Sequence, residues 1–117
     1  MFLPGGYPEL HAGRLAAAGG FRAGMAEAAA RGALIYGECG GYMALGDMLI
    51  DAAGGPHRML GLLKLETSFV RRQRHLGYRQ LTMLGGLPWH GVLRGHEFHY
   101  ATTRRAEGDP LFLAHDA

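Results

Sequence analysis

The stretch that decides the fold is Gly37–Gly41, which reads Gly-Glu-Cys-Gly-Gly and contains Cys39, the single cysteine of the sequence. It follows the apolar run Ala33–Tyr36, which favours a strand, and precedes Tyr42–Leu45, which favours the start of a helix. A strand, a sharp turn and a helix in this order present a nucleophile at the apex of the turn, here in the pattern G-x-C-x-G. Glycines two positions on either side fit this bend, because larger side chains would collide around a strained apex.

Cys39 is therefore the candidate nucleophile. A thiol at a helix N-terminus meets free N–H groups and the positive end of the helix dipole, which favour the thiolate. We expect the backbone N–H of Gly40 to point toward any oxyanion formed on a substrate that Cys39 attacks. Glu38, a charged residue directly before the cysteine, suits a cleft better than a core. The alternative, a small buried cysteine that only packs, stays open on these residues alone.

Size and composition restrict the classes of protein. The 117 residues fit one small domain, and 48% hydrophobic residues indicate a folded chain. A formal charge of +2 does not argue for nucleic acid, and no apolar run approaches the roughly 18 residues that span a membrane. One cysteine cannot form an internal disulfide, so we expect the reducing cytoplasm.

The order of elements before Cys39 predicts an α/β fold with a parallel sheet and crossover helices. The first predicted elements are a strand ending at Met1–Leu3 and a turn at Pro4–Leu10. A short helix follows from about Glu9 to Ala18 and is interrupted at Gly19 and Gly20. A second helix then stops at Gly32, and its core face carries Phe21, Met25, Ala28 and Ala29. The Gly5-Gly6 pair follows a strand, so it is either a simple turn or a source of backbone N–H groups for a cleft.

Beyond Leu45 the pattern changes to strands and turns. We predict loops at Asp51–Pro56 and Glu107–Phe112, strands at Met59–Leu65, Gly77–Met83 and Leu93–Thr102, and a turn at Gly85–Pro88. Arg71, Arg72 and Arg74 lie close together between two of these strands. Such a run is either a solvated surface or a site for an anionic partner that carries carboxylates.

Gly95–Tyr100 reads Gly-His-Glu-Phe-His-Tyr and is the second segment rich in reactive side chains. Its histidines are three residues apart, not four as in the zinc-binding H-E-x-x-H helix, so we predict no metal site. In a strand, Glu97 and His99 share one face, while His96, Phe98 and Tyr100 share the other. The carboxylate either fixes the tautomer of a histidine that serves Cys39, or the pair only braces a loop near the cleft.

Four segments together resemble one family. Leu3–Leu10, Gly37–Met43, Leu76–Arg79 and Gly95–Tyr100 resemble the glutamine amidotransferase domain of cobyrinic acid a,c-diamide synthases. They occur in the family's order and cover almost the whole chain. The resemblance implies a class I, flavodoxin-like glutamine amidotransferase fold, in which helices flank a parallel sheet.

The resemblance also implies roles for individual residues. Cys39 is the nucleophile that attacks the side-chain amide of glutamine and releases ammonia through a thioester. The backbone amides of Gly6 and Gly40 form the oxyanion hole, and Tyr7 lies near the glutamine. Glu38, Glu97 and His99 remain candidates for a supporting role beside these groups.

In the complete enzymes of this family, an ATP-dependent synthetase domain, with magnesium, uses the ammonia to amidate a cobyrinate-type tetrapyrrole in cobalamin biosynthesis. The present sequence has no G-x-x-x-x-G-K-[ST] phosphate loop. We therefore expect the synthetase domain to be absent. The resemblance also implies that residues 1–117 are a partial amidotransferase domain, incomplete at both ends, because the chain begins at what should be a mid-sheet strand of the family's fold and does not reach the strand with the family's catalytic histidine. We expect weak or no turnover by this chain alone, and self-association through exposed sheet edges.

Two alternatives remain on the sequence. One is a different α/β hydrolase or peptidase with a cysteine at the same kind of bend. The other is a non-catalytic binding module that uses the arginine run on an acidic partner.

Overall fold

The computed structural model describes residues 1–84, 87–89 and 91–116. The described elements are β1 (Phe2–Leu3), a 3-10 turn (Pro8–Leu10), α1 (Ala12–Ala17), α2 (Gly19–Ala30), β2 (Tyr36–Gly37), α3 (Gly40–Ala44), β3 (Met48–Ile50), β4 (Pro56–Arg58), β5 (Lys64–Ser68), β6 (His75–Met83), β7 (Val92–His99), β8 (Thr102–Glu107) and β9 (Phe112–Asp116). This is an α/β fold with mixed sheets and short helices. None of the helices in the described ranges is long and apolar enough to cross a membrane.

The strands form three sheets in the described part of the chain. β1 and β2 are parallel, and a four-stranded sheet has the order β4-β3-β5-β8 with β3 and β5 parallel. A three-stranded sheet has the order β7-β6-β9, and its pairs are antiparallel. The predicted parallel pairing is thus found at β1–β2 and β3–β5, and the other pairs differ from it. Parallel neighbours need long crossover connections, whereas beyond Leu45 consecutive strands follow one another after short turns, which suit antiparallel pairs.

The helical region differs from the prediction at its glycines. Gly19 and Gly20 do not interrupt a helix; they begin α2, and the break falls at Ala18, whose ψ of 68° is not helical. The predicted stop at Gly32 is confirmed, because its φ of 82° is a conformation that favours glycine. Met25 and Ala28 are buried as predicted, whereas the side chain of Phe21 is exposed.

The central core lies beneath α1 and α3, on the four-stranded sheet. Its buried residues are Ala12, Met43, Leu49, Met59, Phe69 and Ala101. The strand predicted at Met59–Leu65 is instead Lys64–Ser68. The residues just before β5 form hydrogen bonds with the end of α3 instead of pairing in a sheet. The N–H of Leu60 donates to the carbonyl of Ala44, and the N–H of Leu62 donates to the carbonyl of Leu45.

The remaining predicted strands are found with shifted ends. β6 begins two residues earlier than predicted, and the predicted strand Leu93–Thr102 divides into β7 and the start of β8. Gly85 and Gly86 of the predicted turn lie outside the described residues. The sheet of β6, β7 and β9 leaves large apolar side chains exposed, namely Leu76, Tyr78, Val92, Phe98 and Leu113. Self-association through such strands stays a prediction.

Candidate active site

Cys39 lies at the apex of a tight bend between β2 and α3. The N–H of Glu38 donates to the carbonyl of Leu3 in β1 at 3.0 Å, and the N–H of Gly41 donates to the carbonyl of Glu38 at 2.9 Å. These bonds hold Cys39 at φ 53° and ψ −117°. It is the one non-glycine residue with positive φ in the described part of the chain. Such a backbone is strained for any residue with a Cβ atom, and strain of this kind concentrates at functional sites.

The glycines around Cys39 are required by close backbone contacts. A Cβ atom on Gly37 would lie 2.8 Å from the carbonyl carbon and oxygen of Gly41. One on Gly41 would overlap the carbonyl of Leu3, and one on Gly40 would lie 2.7 Å from the carbonyl oxygen of Gly6. The predicted collision two positions on either side of the cysteine is therefore confirmed.

The Gly5-Gly6 loop packs directly against the bend. A Cβ atom on Gly5 would lie 3.5 Å from the Cβ and 3.8 Å from the Sγ of Cys39. The loop and Cys39 line one cleft of about 320 Å³, whose other lining residues are Tyr7, Glu9, Met43, Phe69, Phe98, His99 and Tyr100. Cys39 is exposed to this cleft. The interpretation of Cys39 as a small buried packing residue is wrong.

Two backbone N–H groups beside the thiol remain available. Among the hydrogen bonds of the described residues, none is donated by the N–H of Gly6 or of Gly40. Gly40 is buried at the start of α3, while Gly6 is exposed and has open space where a side chain would be. Unpaired N–H groups next to a nucleophile are the donors that an oxyanion needs.

The thiol has a third backbone neighbour, which comes from β7. The Sγ of Cys39 lies 3.9 Å from the carbonyl oxygen of Phe98 and can donate a weak hydrogen bond to it. This contact joins residues 59 positions apart. The sequence did not predict this contact, because every residue has the same backbone carbonyl group whatever its side chain.

Glu97 and His99 lie on the same face of β7 and form a pair, as the strand alternation predicted. The Nε2 of His99 lies 2.8 Å from a carboxylate oxygen of Glu97, and its Nδ1 lies 3.1 Å from the carbonyl oxygen of Ala101. Both ring nitrogens therefore have partners other than Cys39. This geometry supports a bracing role for the pair at the wall of the cleft.

Further charges surround Glu97. Its hydrogen bond with His99 lowers the pKa of this carboxyl, and the positive charges of Arg79 and His75 act in the same direction. Arg79 lies 3.0 Å from the carboxylate, and the ring of His75 stacks on that of His99 with centroids 4.5 Å apart. The possible ligand atoms of His75, Glu97 and His99 lie within 4.8 Å of one another, a spacing that can hold a metal ion. The carboxylate is already engaged by His99 and Arg79.

Glu38 points to a neighbouring groove rather than into the cleft of the Gly5-Gly6 loop. That groove also contains Cys39 and Trp89 in its lining. The hydroxyl of Tyr36 donates to Glu38 at 3.0 Å. Burial, this hydrogen bond and the charge of Glu38 raise the pKa of Tyr36 to about 12.

The arginine run is exposed, and one member reaches the wall of the cleft. The guanidinium carbon of Arg72 lies 5.1 Å from the centroid of the Tyr100 ring, a cation–π contact. The N–H of Gln73 donates to the carbonyl of Tyr100 at 3.1 Å. The strand alternation predicted that Tyr100 and Phe98 share one face of the strand. It did not predict that Arg72 or Glu9 lies beside the cleft.

An exposed cysteine on a glycine-flanked strand–turn–helix bend, beside unpaired N–H groups, is an arrangement typical of the nucleophiles used in acyl transfer. The sequence comparison gives the family. The model described as the CobB/CobQ-like glutamine amidotransferase domain matches residues 1–116, and the chain belongs to this family.

Individual relatives are similar over the full length of the chain. The hydrogenobyrinate a,c-diamide synthase of Brucella anthropi is 63% identical over 118 residues, which cover 100% of this chain and 27% of the relative. The proteins of the same name from Rhizobium meliloti and Rhodobacter capsulatus are 53% and 52% identical, again over 100% of this chain. The chain thus spans about a quarter of the length of these curated relatives, 28% and 27% for the last two.

Proposed function

We propose that this chain carries the glutaminase site of a hydrogenobyrinate- or cobyrinate-type a,c-diamide synthase. The observation that carries the proposal is the contact between Cys39 and the Gly5-Gly6 loop in one open cleft, in a chain of the glutamine amidotransferase family. We also propose that β1 and β2 belong to the parallel sheet of a class I, flavodoxin-like arrangement.

The reaction proceeds in two acyl-transfer steps. The thiolate of Cys39 attacks the side-chain carbonyl carbon of glutamine, and the electrons of the C=O bond move onto the oxygen. The N–H groups of Gly6 and Gly40 stabilise that oxyanion. When the C=O bond re-forms, the C–N bond breaks, and the nitrogen takes a proton from solvent and leaves as ammonia. Water then hydrolyses the γ-glutamyl thioester, which releases glutamate and regenerates the thiol.

Surrounding residues hold this geometry. Tyr7 lines the cleft in which we propose that glutamine binds. The Glu97–His99 pair fixes the segment of β7 that carries the Phe98 carbonyl. Because both ring nitrogens of His99 are engaged, we assign it no proton transfer with Cys39. We therefore expect a single covalent modification of Cys39 to be easier to observe than repeated turnover of glutamine.

The ammonia serves an ATP-dependent amidation of tetrapyrrole carboxylates in cobalamin biosynthesis. The names of the relatives state an a,c-diamide synthase, and the chain covers about a quarter of their length. The sequence contains no phosphate-loop pattern, so no residue of this chain is assigned to ATP or magnesium.

A glutamine-analogue electrophile tests the proposal. We expect 6-diazo-5-oxo-L-norleucine to modify the chain once, at Cys39, as measured by intact and peptide mass spectrometry. L-glutamine should slow the modification and L-asparagine should not. Because the chain has one cysteine, iodoacetamide measures the same thiol without glutamine recognition.

The Cys39→Ser variant is the control and should lose both modifications. Labelling that L-glutamine does not slow, or labelling of histidines in place of Cys39, would overturn the proposal. Cleavage of peptides or esters would instead favour the hydrolase alternative. Salt-sensitive binding of an acidic partner that needs Arg71, Arg72 and Arg74 but not Cys39 would favour the binding module.

A further inference from the structure

Two histidines and a carboxylate from different strands meet where β6 pairs with β7. His75 lies directly opposite His99, and Glu97 lies opposite Gly77. Residues that face one another across two strands, or are two apart along one strand, share a face of the sheet, so the three side chains lie on one side. Their possible ligand atoms lie within 4.8 Å of one another. The prediction of no metal site considered only the histidine spacing within Gly95–Tyr100 and could not include His75.

The ring of His99 is oriented as in a metal ligand. Its Nδ1 lies 3.1 Å from the carbonyl oxygen of Ala101, and a carbonyl only accepts hydrogen bonds, so Nδ1 carries the hydrogen. Histidines that bind metals commonly donate their second nitrogen to a backbone carbonyl in this way. The lone pair of the neutral ring is then on Nε2, which faces a carboxylate oxygen of Glu97 at 2.8 Å. Two acceptors this close need a cation between them, either a second ring proton or a metal ion.

The other two side chains each have a position free for such an ion. Arg79 holds one carboxylate oxygen of Glu97 at 3.0 Å, and the other oxygen is the one that faces His99. The histidine rings that form hydrogen bonds in the described part of the chain are those of His57 and His99. Both ring nitrogens of His75 therefore have no partner among the described residues, and this ring stacks on that of His99 with centroids 4.5 Å apart.

The donor set and its spacing select the kind of ion. Two imidazole nitrogens and one carboxylate oxygen suit Zn²⁺ and similar transition-metal ions, whereas Mg²⁺ prefers oxygen ligands alone. Zn²⁺ lies about 2.1 Å from such ligands, which places their atoms roughly 3.4 Å apart in a tetrahedral site. The contact of 2.8 Å and the limit of 4.8 Å bracket this value, so small rotations of the side chains form the site.

We infer that His75, Glu97 and His99 bind a divalent transition-metal ion, of which Zn²⁺ fits the donor set best. The ion takes the place of the second ring proton between Glu97 and His99 and joins β6 to β7. Three protein ligands leave a fourth position for water. Phe98 lies between two of the ligands, and its carbonyl oxygen is 3.9 Å from the Sγ of Cys39, so the ion also fixes the strand beside the thiol.

Metal binding is measured in the Cys39→Ser variant, because the thiol is itself a ligand for Zn²⁺. Zn²⁺ is titrated against a chromophoric chelator, and the visible absorption of Co²⁺ reports the geometry of the bound ion. His75→Gln is the main added substitution, since no hydrogen bond of the described residues is lost with that ring. His96→Gln is the matched control, because His96 lies in β7 like His99 but on the opposite face.

The Cys39→Ser protein should bind one Zn²⁺ and give a four-coordinate Co²⁺ spectrum. Adding His75→Gln should weaken binding more than about tenfold, since even the loss of a residue that only orients a ligand costs about 10- to 100-fold. Adding His96→Gln should leave the affinity unchanged. Zn²⁺ in roughly 100-fold excess over its Kd should raise the midpoint of urea unfolding, and the protein with His75→Gln should lose this shift.

Four results would overturn the inference. One is the absence of saturable Zn²⁺ binding to Cys39→Ser, and another is an affinity that His75→Gln leaves unchanged. Equal losses in His75→Gln and His96→Gln would indicate scattered binding by exposed histidines. Binding to the wild type that Cys39→Ser lacks would place the ion at the thiol. The labelling of Cys39 that tests the proposed function is a separate measurement, so either proposal can fail alone.

Discussion

Gly40 lies directly against the backbone of Gly6: a Cβ atom at position 40 would come within 2.7 Å of the Gly6 carbonyl oxygen and 2.9 Å of its nitrogen. The bend that carries the thiol and the loop at the end of β1 therefore touch through backbone atoms. Backbone atoms cannot move aside as a flexible side chain can, so this contact sets the width of the cleft beside Cys39.

The Gly40→Ala substitution should displace the loop from the bend. We expect the free energy of unfolding to fall by about 1–3 kcal/mol, the usual cost of overpacking. Modification of Cys39 by 6-diazo-5-oxo-L-norleucine should slow more than tenfold, because the N–H groups of Gly6 and Gly40 would separate. Urea unfolding and labelling rates measure the two effects.

Gly24 provides the matched control. It is exposed in α2, and a Cβ atom there would meet nothing within 4 Å. The Gly24→Ala variant should be as stable as the wild type or up to about 1 kcal/mol more stable, since alanine favours the helix. Equal effects of the two substitutions would contradict the contact between the loop and the bend.

The strained backbone of Cys39 predicts an unusual effect of glycine. At φ 53° and ψ −117°, Cys39→Gly should relieve about 1–3 kcal/mol of strain, while Cys39→Ala keeps it. The added freedom of glycine in the unfolded chain offsets about 0.4–1 kcal/mol of that gain. Cys39→Gly should therefore be the more stable variant in urea unfolding. A less stable glycine variant would show that the bend is not strained.

Tyr36 should ionise at a higher pH than a tyrosine of ordinary pKa. Burial and the hydrogen bond to Glu38 raise its pKa from 10.0 to about 12. A folded pKa above the unfolded value adds stability that is fully present below pH 10 and is lost as the pH rises through about 12. In the Tyr36→Phe variant, the absorbance titration near 295 nm should lack the tyrosine ionisation step near pH 12 that the wild type shows. The Glu38→Gln variant should move that component to lower pH, and an unchanged titration would contradict the contact.

Acid should destabilise the chain partly through Asp51. The hydrogen bond from His57, at 2.7 Å, and those from the N–H groups of Gly55 and Ala53 lower the pKa of this carboxyl below 3.8. A lowered folded pKa gives stability that is present above pH 3.8 and is lost as the pH falls through the folded pKa.

Below pH 3.8, the free energy of unfolding of the wild type should therefore fall more steeply than that of the Asp51→Asn variant. Urea unfolding at a series of pH values measures both. The His57→Gln variant should also flatten the decline, since it removes the largest cause of the shift. The double variant should be no flatter than Asp51→Asn. Parallel curves for the wild type and Asp51→Asn would show that the contacts do not persist in solution.

Local patterns predicted the parts of the molecule that local sterics control. The bend and helix around Cys39, the stop at Gly32 and the common face of Glu97 and His99 all follow from backbone conformation or strand alternation over a few residues. The strand before the bend was predicted at Ala33–Tyr36, whereas β2 is Tyr36–Gly37, the short stretch that pairs with β1. The strand predicted at Met59–Leu65 is wrong, because the backbone of these apolar residues forms hydrogen bonds with the end of α3. The apolar pattern does not encode this tertiary arrangement.

The sequence alone determined the bend that carries Cys39, the candidate nucleophile, since a Cβ atom on any of three neighbouring glycines would overlap adjacent backbone. Only the tertiary structure decided what surrounds that nucleophile. The Phe98 carbonyl, the Tyr100 ring with Arg72, and Glu9 come together because β7 passes beside α3 and the loop after β1 closes the other side. Contacts between segments so distant in the chain depend on how whole sheets pack, and side-chain spacing within one segment carries no record of them.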